Sequence, residues 1–153
     1  MPRIVAQRSV MLTAGIDLSA DPKKTGVATL EWTDDGATVT GIEVGRTGRA
    51  GPVVEVYPAA ALKLWGLPHQ GYKGREPANA RRRAALVQLI GCVLPWLQLG
   101  EYADLCIQTD DALDAVLCAA IAGLARRGET DEIPTEHLAA AAVEGWIALP
   151  VRR

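Results

Sequence analysis

Residues 10–44, VMLTAGIDLSADPKKTGVATLEWTDDGATVTGIEV, decide the fold. The stretch 10–18 is mostly apolar and runs into Ser19-Ala20-Asp21-Pro22, the pattern of a strand entering a turn. Residues 26–32 alternate weakly between apolar and polar and stop at Thr33-Asp34-Asp35-Gly36. An Asp-Gly pair between two such runs is a hairpin signal, because these residues tolerate the backbone of a tight turn. Residues 37–44 supply the partner strand. The opening of the chain therefore reads as a three-strand antiparallel meander.

Further along, VVEVY at 53–57 is a short β-branched run and reads as a central strand. It ends at Pro58, which suits the first turn of a short helix over 59–65. Residues 66–78 are rich in Gly and Pro and read as a loop. Asn79 can cap a helix from Ala80 whose apolar side includes Leu86, Val87, Ile90, Leu94 and Leu97, with Gly91 and Pro95 bending it. A short apolar stretch, 104–109, leads into the best helix of the chain. Over 110–127, Leu113, Val116, Leu117, Ala120, Ile121 and Leu124 follow the i, i+3, i+4, i+7 rule. Gly128 ends it, 134–143 is an alanine-rich helix, and 145–149 is a final short strand. This order predicts a mixed α/β sheet flanked by helices.

One spacing conflicts with that scheme. Parallel neighbours need a crossover of about 10–12 residues or more, and only the Gly/Arg-rich piece 45–52 separates the third strand from VVEVY. Either those strands are not parallel neighbours, or a stretch is missing at the 45–51 junction.

The 153 residues have the length of one domain, read here as spanning 1–153. Sixteen Lys+Arg against eighteen Asp+Glu leave a formal charge of −2, which argues against a polybasic nucleic-acid coat but allows a local basic patch. No apolar run approaches the ~20 residues of a membrane span, and the first fifteen residues lack the apolar core of a signal peptide. Cys92, Cys106 and Cys118 are odd in number and never spaced as C-x-x-C, so they read as buried small hydrophobes in a reducing compartment. The expectation is a cytoplasmic protein without membrane partners. Phenylalanine is absent, so the four tryptophans supply most of the aromatic bulk.

The chemistry rests on carboxylates. Asp17 lies inside an apolar strand, and Glu55 stands between valines in VVEVY. Burying either charge without a partner is expensive. Asp110, Asp111 and Asp114 crowd the start of the best helix, where free N–H groups welcome acids. That accounts for Asp110 as a plain cap and for Asp111, but not for Asp114. At 100° per residue Asp114 stands roughly 40° from Asp110 and about 60° from Asp111, on the border of the apolar stripe. Taken singly, Glu55 could pair with an arginine and Asp17 could accept backbone N–H groups. Taken together, these acids on different elements match a two-metal site, in which converging carboxylates hold Mg²⁺ or Mn²⁺ ions about 3.5–4 Å apart.

GIDLSADPKKTGVATLEW, VVEVYPAAALKLWGL with GYK after it, DDALDAVLCAAIAG and a closing EGWIALP resemble the DUF429 family, over most of residues 13–150. That family is placed among predicted ribonuclease H-like nucleases. The resemblance implies a ribonuclease H-like fold, with a three-strand meander followed by alternating helices and strands. In its RuvC-like resolvase branch, acids sit on the first strand, on the fourth strand, and as an i, i+3 pair on a late helix. Carried over by position, these imply Asp17, Glu55, Asp111 and Asp114 as catalytic metal ligands, with Asp110 as the alternative helix partner. The implied activity is Mg²⁺- or Mn²⁺-dependent hydrolysis of nucleic-acid phosphodiester bonds. A non-cutting nucleic-acid or protein binding module of the same fold is the rival. Members usually carry a longer segment, with a further aspartate, where this chain has the 45–51 junction.

For the nucleic-acid backbone the candidates are Lys24 in the turn after Asp17, then Lys73, Arg81 and Arg82, beside Tyr72, Trp65 and Arg83. Other motifs carry less. DPKKTG has no glycine before its lysines and no helix after it, so it is no Walker loop, and GRTGRAG has the wrong glycine spacing for a dinucleotide fingerprint. His69, His137 and Ser19 lack partners at suggestive spacing.

Overall fold

A computed structural model describes residues 10–17, 25–44 and 54–151. Strands β1 (Met11–Asp17), β2 (Gly26–Thr33) and β3 (Gly36–Val44) form the antiparallel meander. β1 pairs with β2 from Met11↔Trp32 to Asp17↔Gly26. The β2–β3 hairpin closes at Thr33↔Gly36, and an irregularity at Thr29/Leu30 shifts the register so that Thr29 faces Gly41 and Leu30 faces Val39. Gly36 takes φ +151° and lies against the Trp96 carbonyl, which also receives the Ala37 amide at 2.6 Å.

β4 (Glu55–Val56) leads into α1 (Pro58–Leu64), then α2 (Pro77–Val93) and β5 (Leu97–Gln98). After a 3-10 turn at Gly100–Tyr102 come α3 (Ala103–Gln108) and α4 (Asp110–Arg126). A second 3-10 turn precedes α5 (Leu138–Glu144) and β6 (Ile147–Ala148). The main sheet has the order β1-β2-β3-β5, with β5 parallel to β3, and β4 forms a separate parallel ladder with β6. The fold is thus the expected mixed α/β sheet with flanking helices.

Several expectations are corrected. The run 53–57 is not a central strand of the main sheet: among the described residues its strand is two residues long and pairs with β6. The parallel partner of β3 is β5, reached through α1 and α2, so the crossover requirement does not fall on the short junction. Residues 45–53 themselves lie outside the described residues, as do residues 18–24 with the candidate Lys24. The short apolar stretch 104–109 that leads into α4 is mostly helix, as part of α3, which packs against α2 and α4. The α2 helix stops at Val93, and Leu97 reaches the core from β5.

The core lies between one face of the sheet and α4. Ala28, Leu30, Trp32, Ala37 and Val39 are buried on that face, and all of residues 112–121 are buried in α4. The intimacy comes from glycine. A Cβ on Gly15 would land on Ala115 O and Ala119 N, and one on Gly26 would land on Asp111 O. Helix and strand backbones therefore touch where β1 and β2 pass under the start of α4. Thr13 Oγ1 locks the contact by donating to Ala119 O at 2.9 Å and accepting Trp32 Nε1 at 2.9 Å. Trp32 stacks on Trp96, which meets Trp65 edge-on, so these three rings pack together against the core. Among the described residues no helix is long and apolar enough to cross a membrane.

Candidate acidic site

The site forms where β1 ends beneath the first turns of α4. Thr109, not Asp110, caps that helix: its Oγ1 accepts the Asp111 amide at 3.1 Å and donates to Asp111 Oδ2 at 3.2 Å. Asp110 is the first helical residue, with Oδ1 3.8 Å from Arg83 Nη1. One turn on, Asp114 is buried at 1% exposure, as its place beside the apolar stripe predicts. Because Gly15 and Gly26 let the backbones touch, Asp17 at the last position of β1 falls in the field of all three helix acids.

Electrostatics register the crowding. Burial, then the charges of Asp114, Asp111 and Asp110, push the Asp17 carboxyl from 3.8 up to about 6, against the lowering effect of Lys73. Burial also raises the Asp114 carboxyl, although Lys73 and Tyr72 pull it down. Tyr72 Oη donates to Asp114 Oδ1 at 2.8 Å, and the Tyr72 phenol is held above its ordinary range by burial and by Asp114. Lys73 Nζ lies 2.5 Å from Asp114 Oδ2, which is buried and has no other polar partner among the described residues. Burial alone would lower the Lys73 ammonium, but Asp114, Asp17 and Asp110 outweigh it and the net shift is upward. Cys118, four residues after Asp114, has its thiol pushed up to about 12, by burial first and then by Asp114 and Asp17.

Nothing in the sequence marks Tyr72 and Lys73 as partners of Asp114, and Arg83 does not belong to the surface patch expected for it. Arg83 is instead buried at 2%. Its Nη1 donates to Tyr72 O at 2.6 Å and Gly74 O at 2.8 Å, its Nε to Ile107 O at 2.8 Å, and its Nη2 to Gln108 O at 3.1 Å. One guanidinium thus ties the 71–74 loop to the end of α3, just before α4 begins. Arg82 Nη1 donates to Gly71 O at 3.1 Å, and Asn79 Nδ2 to Lys73 O at 2.6 Å. All four carbonyls of 71–74 are therefore held by side chains from the start of α2. A signal for Arg83 existed, since it stands at i with Leu86 and Ile90 at i+3 and i+7 on the buried stripe.

Of the expected ligands, Asp17 at the end of β1 lies within electrostatic reach of Asp111 and Asp114, and of Asp110, at the start of α4. Glu55 does not point inward as expected. It is exposed on β4, with its Oε2 near the place a Cβ on Gly145 would take. Arg81 and Arg82 are exposed on α2, Arg82 with donors committed to the loop. Among the described residues no three His, Cys, Asp or Glu side chains are grouped closely enough to hold a metal ion. The cysteine reading also needs one correction: Cys106 and Cys118 are buried, but Cys92 is exposed on α2.

No curated protein and no solved structure matches the chain. A family model described as a protein of unknown function, DUF429, matches residues 37–139, from β3 through α4 to the start of α5. That match spans about two thirds of the sequence, and the chain belongs to the DUF429 family.

Proposed function

We propose that the protein is a metal-dependent nuclease or phosphodiesterase of ribonuclease H-like type. The observation that carries this reading is that Asp17, at the end of β1, feels the charges of Asp110, Asp111 and Asp114 at the start of α4, across the backbone contact at Gly15 and Gly26. Acids packed so closely repel one another, and a cation relieves them. The donor set is entirely carboxylate oxygen, which suits a hard divalent ion such as Mg²⁺ or Mn²⁺. The demand for positive charge is visible in Lys73, whose ammonium sits against Asp114 Oδ2.

In this reading Asp17, Asp111 and Asp114 would hold the ion only after their side chains close on it, and Asp110 would add charge at the helix start. Tyr72 fixes one oxygen of Asp114, so the other keeps a constant direction. When bound, the metal supplies the Lewis acid that activates water and neutralises charge at a scissile phosphate. Lys73 and Arg81, with Lys24 outside the described residues, offer positive charge to the nucleic-acid backbone. Glu55 joins the site only if β4 presents its side chain differently when substrate and metal are bound.

The test is cleavage of single-stranded, duplex and branched DNA and RNA in Mn²⁺ against EDTA, by wild type and Asp17→Asn. Metal-dependent cutting that is lost in the variant is expected, and an equal rate in both excludes this site. A second reading, a non-cutting module of the same fold, is favoured by one observation: Lys73 already neutralises the buried acid without a metal. Nucleic-acid binding that persists in EDTA, with no cutting in Mn²⁺, would decide for it.

A further inference from the structure

α5 is a helix of seven residues, LAAAAVE, and none of them is buried. Leu138 is 51% exposed and Val143 86%. At 100° per residue Leu138, Ala139, Ala142 and Val143 share one outward face, which the exposed Trp146 and Ile147 extend toward β6. Trp146 stacks on His137 across the length of the helix. So short a helix is marginal in water by itself, and an exposed apolar patch of this kind marks a contact surface. Its charge is one-sided. Residues 128–151 hold five acids, Glu129, Asp131, Glu132, Glu136 and Glu144, and no Lys or Arg.

α2 carries the complement. Residues 77–100 hold three arginines and no Asp, Glu or Lys. Arg83 is buried as the loop clamp, but Arg81 and Arg82 are exposed. They share a sector of about 120° with Leu89, Cys92 and Val93, all exposed as well. Arginines near a helix start stand at the positive end of its dipole, where carboxylates from outside relieve them.

We propose that α2 of one copy of this chain docks on the α5 face of a second copy. Leu89 and Val93 pack against Leu138, Ala142 and Val143, and Arg81 meets the carboxylates of Glu136 and Glu144. Pairing α5 with α5 would set acids against acids, which costs rather than gains energy. The interface is therefore heterologous, and it grows into a ring or an open chain. The inference is independent of the acidic site above, although nucleic acid and the neighbouring copy compete for Arg81.

The test is sedimentation velocity of the full chain, free of nucleic acid, over roughly a hundredfold range of concentration. One variant removes the apolar α5 face, Leu138→Gln/Val143→Gln, and another reverses the α2 face, Arg81→Glu/Leu89→Glu, with far-UV circular dichroism to verify folding. Wild type is expected to associate as concentration rises and to dissociate in high salt, which screens exposed charges. Each variant alone should associate about tenfold more weakly or less than that. Their mixture is the deciding arm. It retains one intact face of each kind, so it should form a 1:1 dimer that grows no further. A second readout needs no variant: Cys92 of wild type should react with a thiol reagent about tenfold more slowly in concentrated than in dilute protein. A wild type that is monomeric at every concentration overturns the proposal. So do variants that associate like wild type, a mixture that stays monomeric, or a Cys92 rate that ignores concentration.

Discussion

Tyr72 Oη donates to Asp114 Oδ1 across 42 positions of sequence, at 2.8 Å, with both residues buried. The loop that carries the tyrosine and the helix that carries the acid are joined at this bond. Hydrogen bonds to charged groups contribute about 1.5–3 kcal/mol, more than neutral ones. Tyr72→Phe keeps the ring and removes only the donor. It should lower the melting temperature by roughly 2–4 °C for each kcal/mol lost, as a chain of this size does. An unchanged melting curve would show that Lys73 alone satisfies Asp114.

Arg83 should be irreplaceable by lysine. Its fork serves four carbonyls, on the 71–74 loop and at the end of α3, and an ammonium cannot reach them together. Arg83→Lys and Arg83→Met should each lose on the order of 3 kcal/mol, the cost of breaking a buried polar network. Urea unfolding measures this. A lysine variant as stable as wild type would mean that the loop holds its shape without the clamp.

The glycine contact can be tested with an internal control. A Cβ at Gly15 falls on the α4 backbone, whereas one at Gly41 meets nothing within 4 Å. Gly15→Ala should cost about 1–3 kcal/mol or more, because helix and strand must separate. Gly41→Ala should stay within about 0.5 kcal/mol of wild type. Similar stabilities for the two variants would refute the close approach that brings Asp17 to Asp114.

Acid should favour the native state at Asp17. Its carboxyl is raised from 3.8 to about 6, so between those values the native chain holds its proton when the unfolded chain has lost it. Stability should therefore fall as pH rises through this window, with the loss complete above about 6. Asp17 is only half-buried, and solvent screening keeps the effect modest. Melting curves in EDTA across this range should show the slope in wild type and a shallower one in Asp17→Asn. Parallel curves for the two proteins would show that Asp17 titrates as an ordinary carboxyl.

The thiols should separate sharply. Cys106 and Cys118 are buried, with their thiols raised to about 12 mainly by burial, while Cys92 is exposed on α2. A thiol-specific chromophore should modify Cys92 rapidly in the native protein and the other two only in denaturant. Fast reaction of a second thiol without denaturant would mean that α4 opens far more readily than its packing implies.

The local elements follow from residue patterns near in sequence. Period-two runs and the Asp-Gly turn specified the meander, and the period of Leu113 to Leu124 specified α4. The same periodicity placed Asp114 at the edge of the buried stripe, which distinguishes that acid from its two neighbours at the helix start. These features depend on residues within a few positions of each other, where backbone geometry fixes which side chains share a face.

What those faces meet depends on contacts between residues far apart in the chain. Glu55 stands between valines as a buried residue would, yet a two-residue strand paired with β6 leaves it exposed. Arg83 looks like one of three surface arginines, yet it is the buried clamp of a loop. Lys73 lies 41 positions from Asp114, and nothing local announces their pairing. Such contacts arise from how whole elements stack, here from two glycines that let α4 rest on β1 and β2, and long-range packing leaves no periodic mark in the chain.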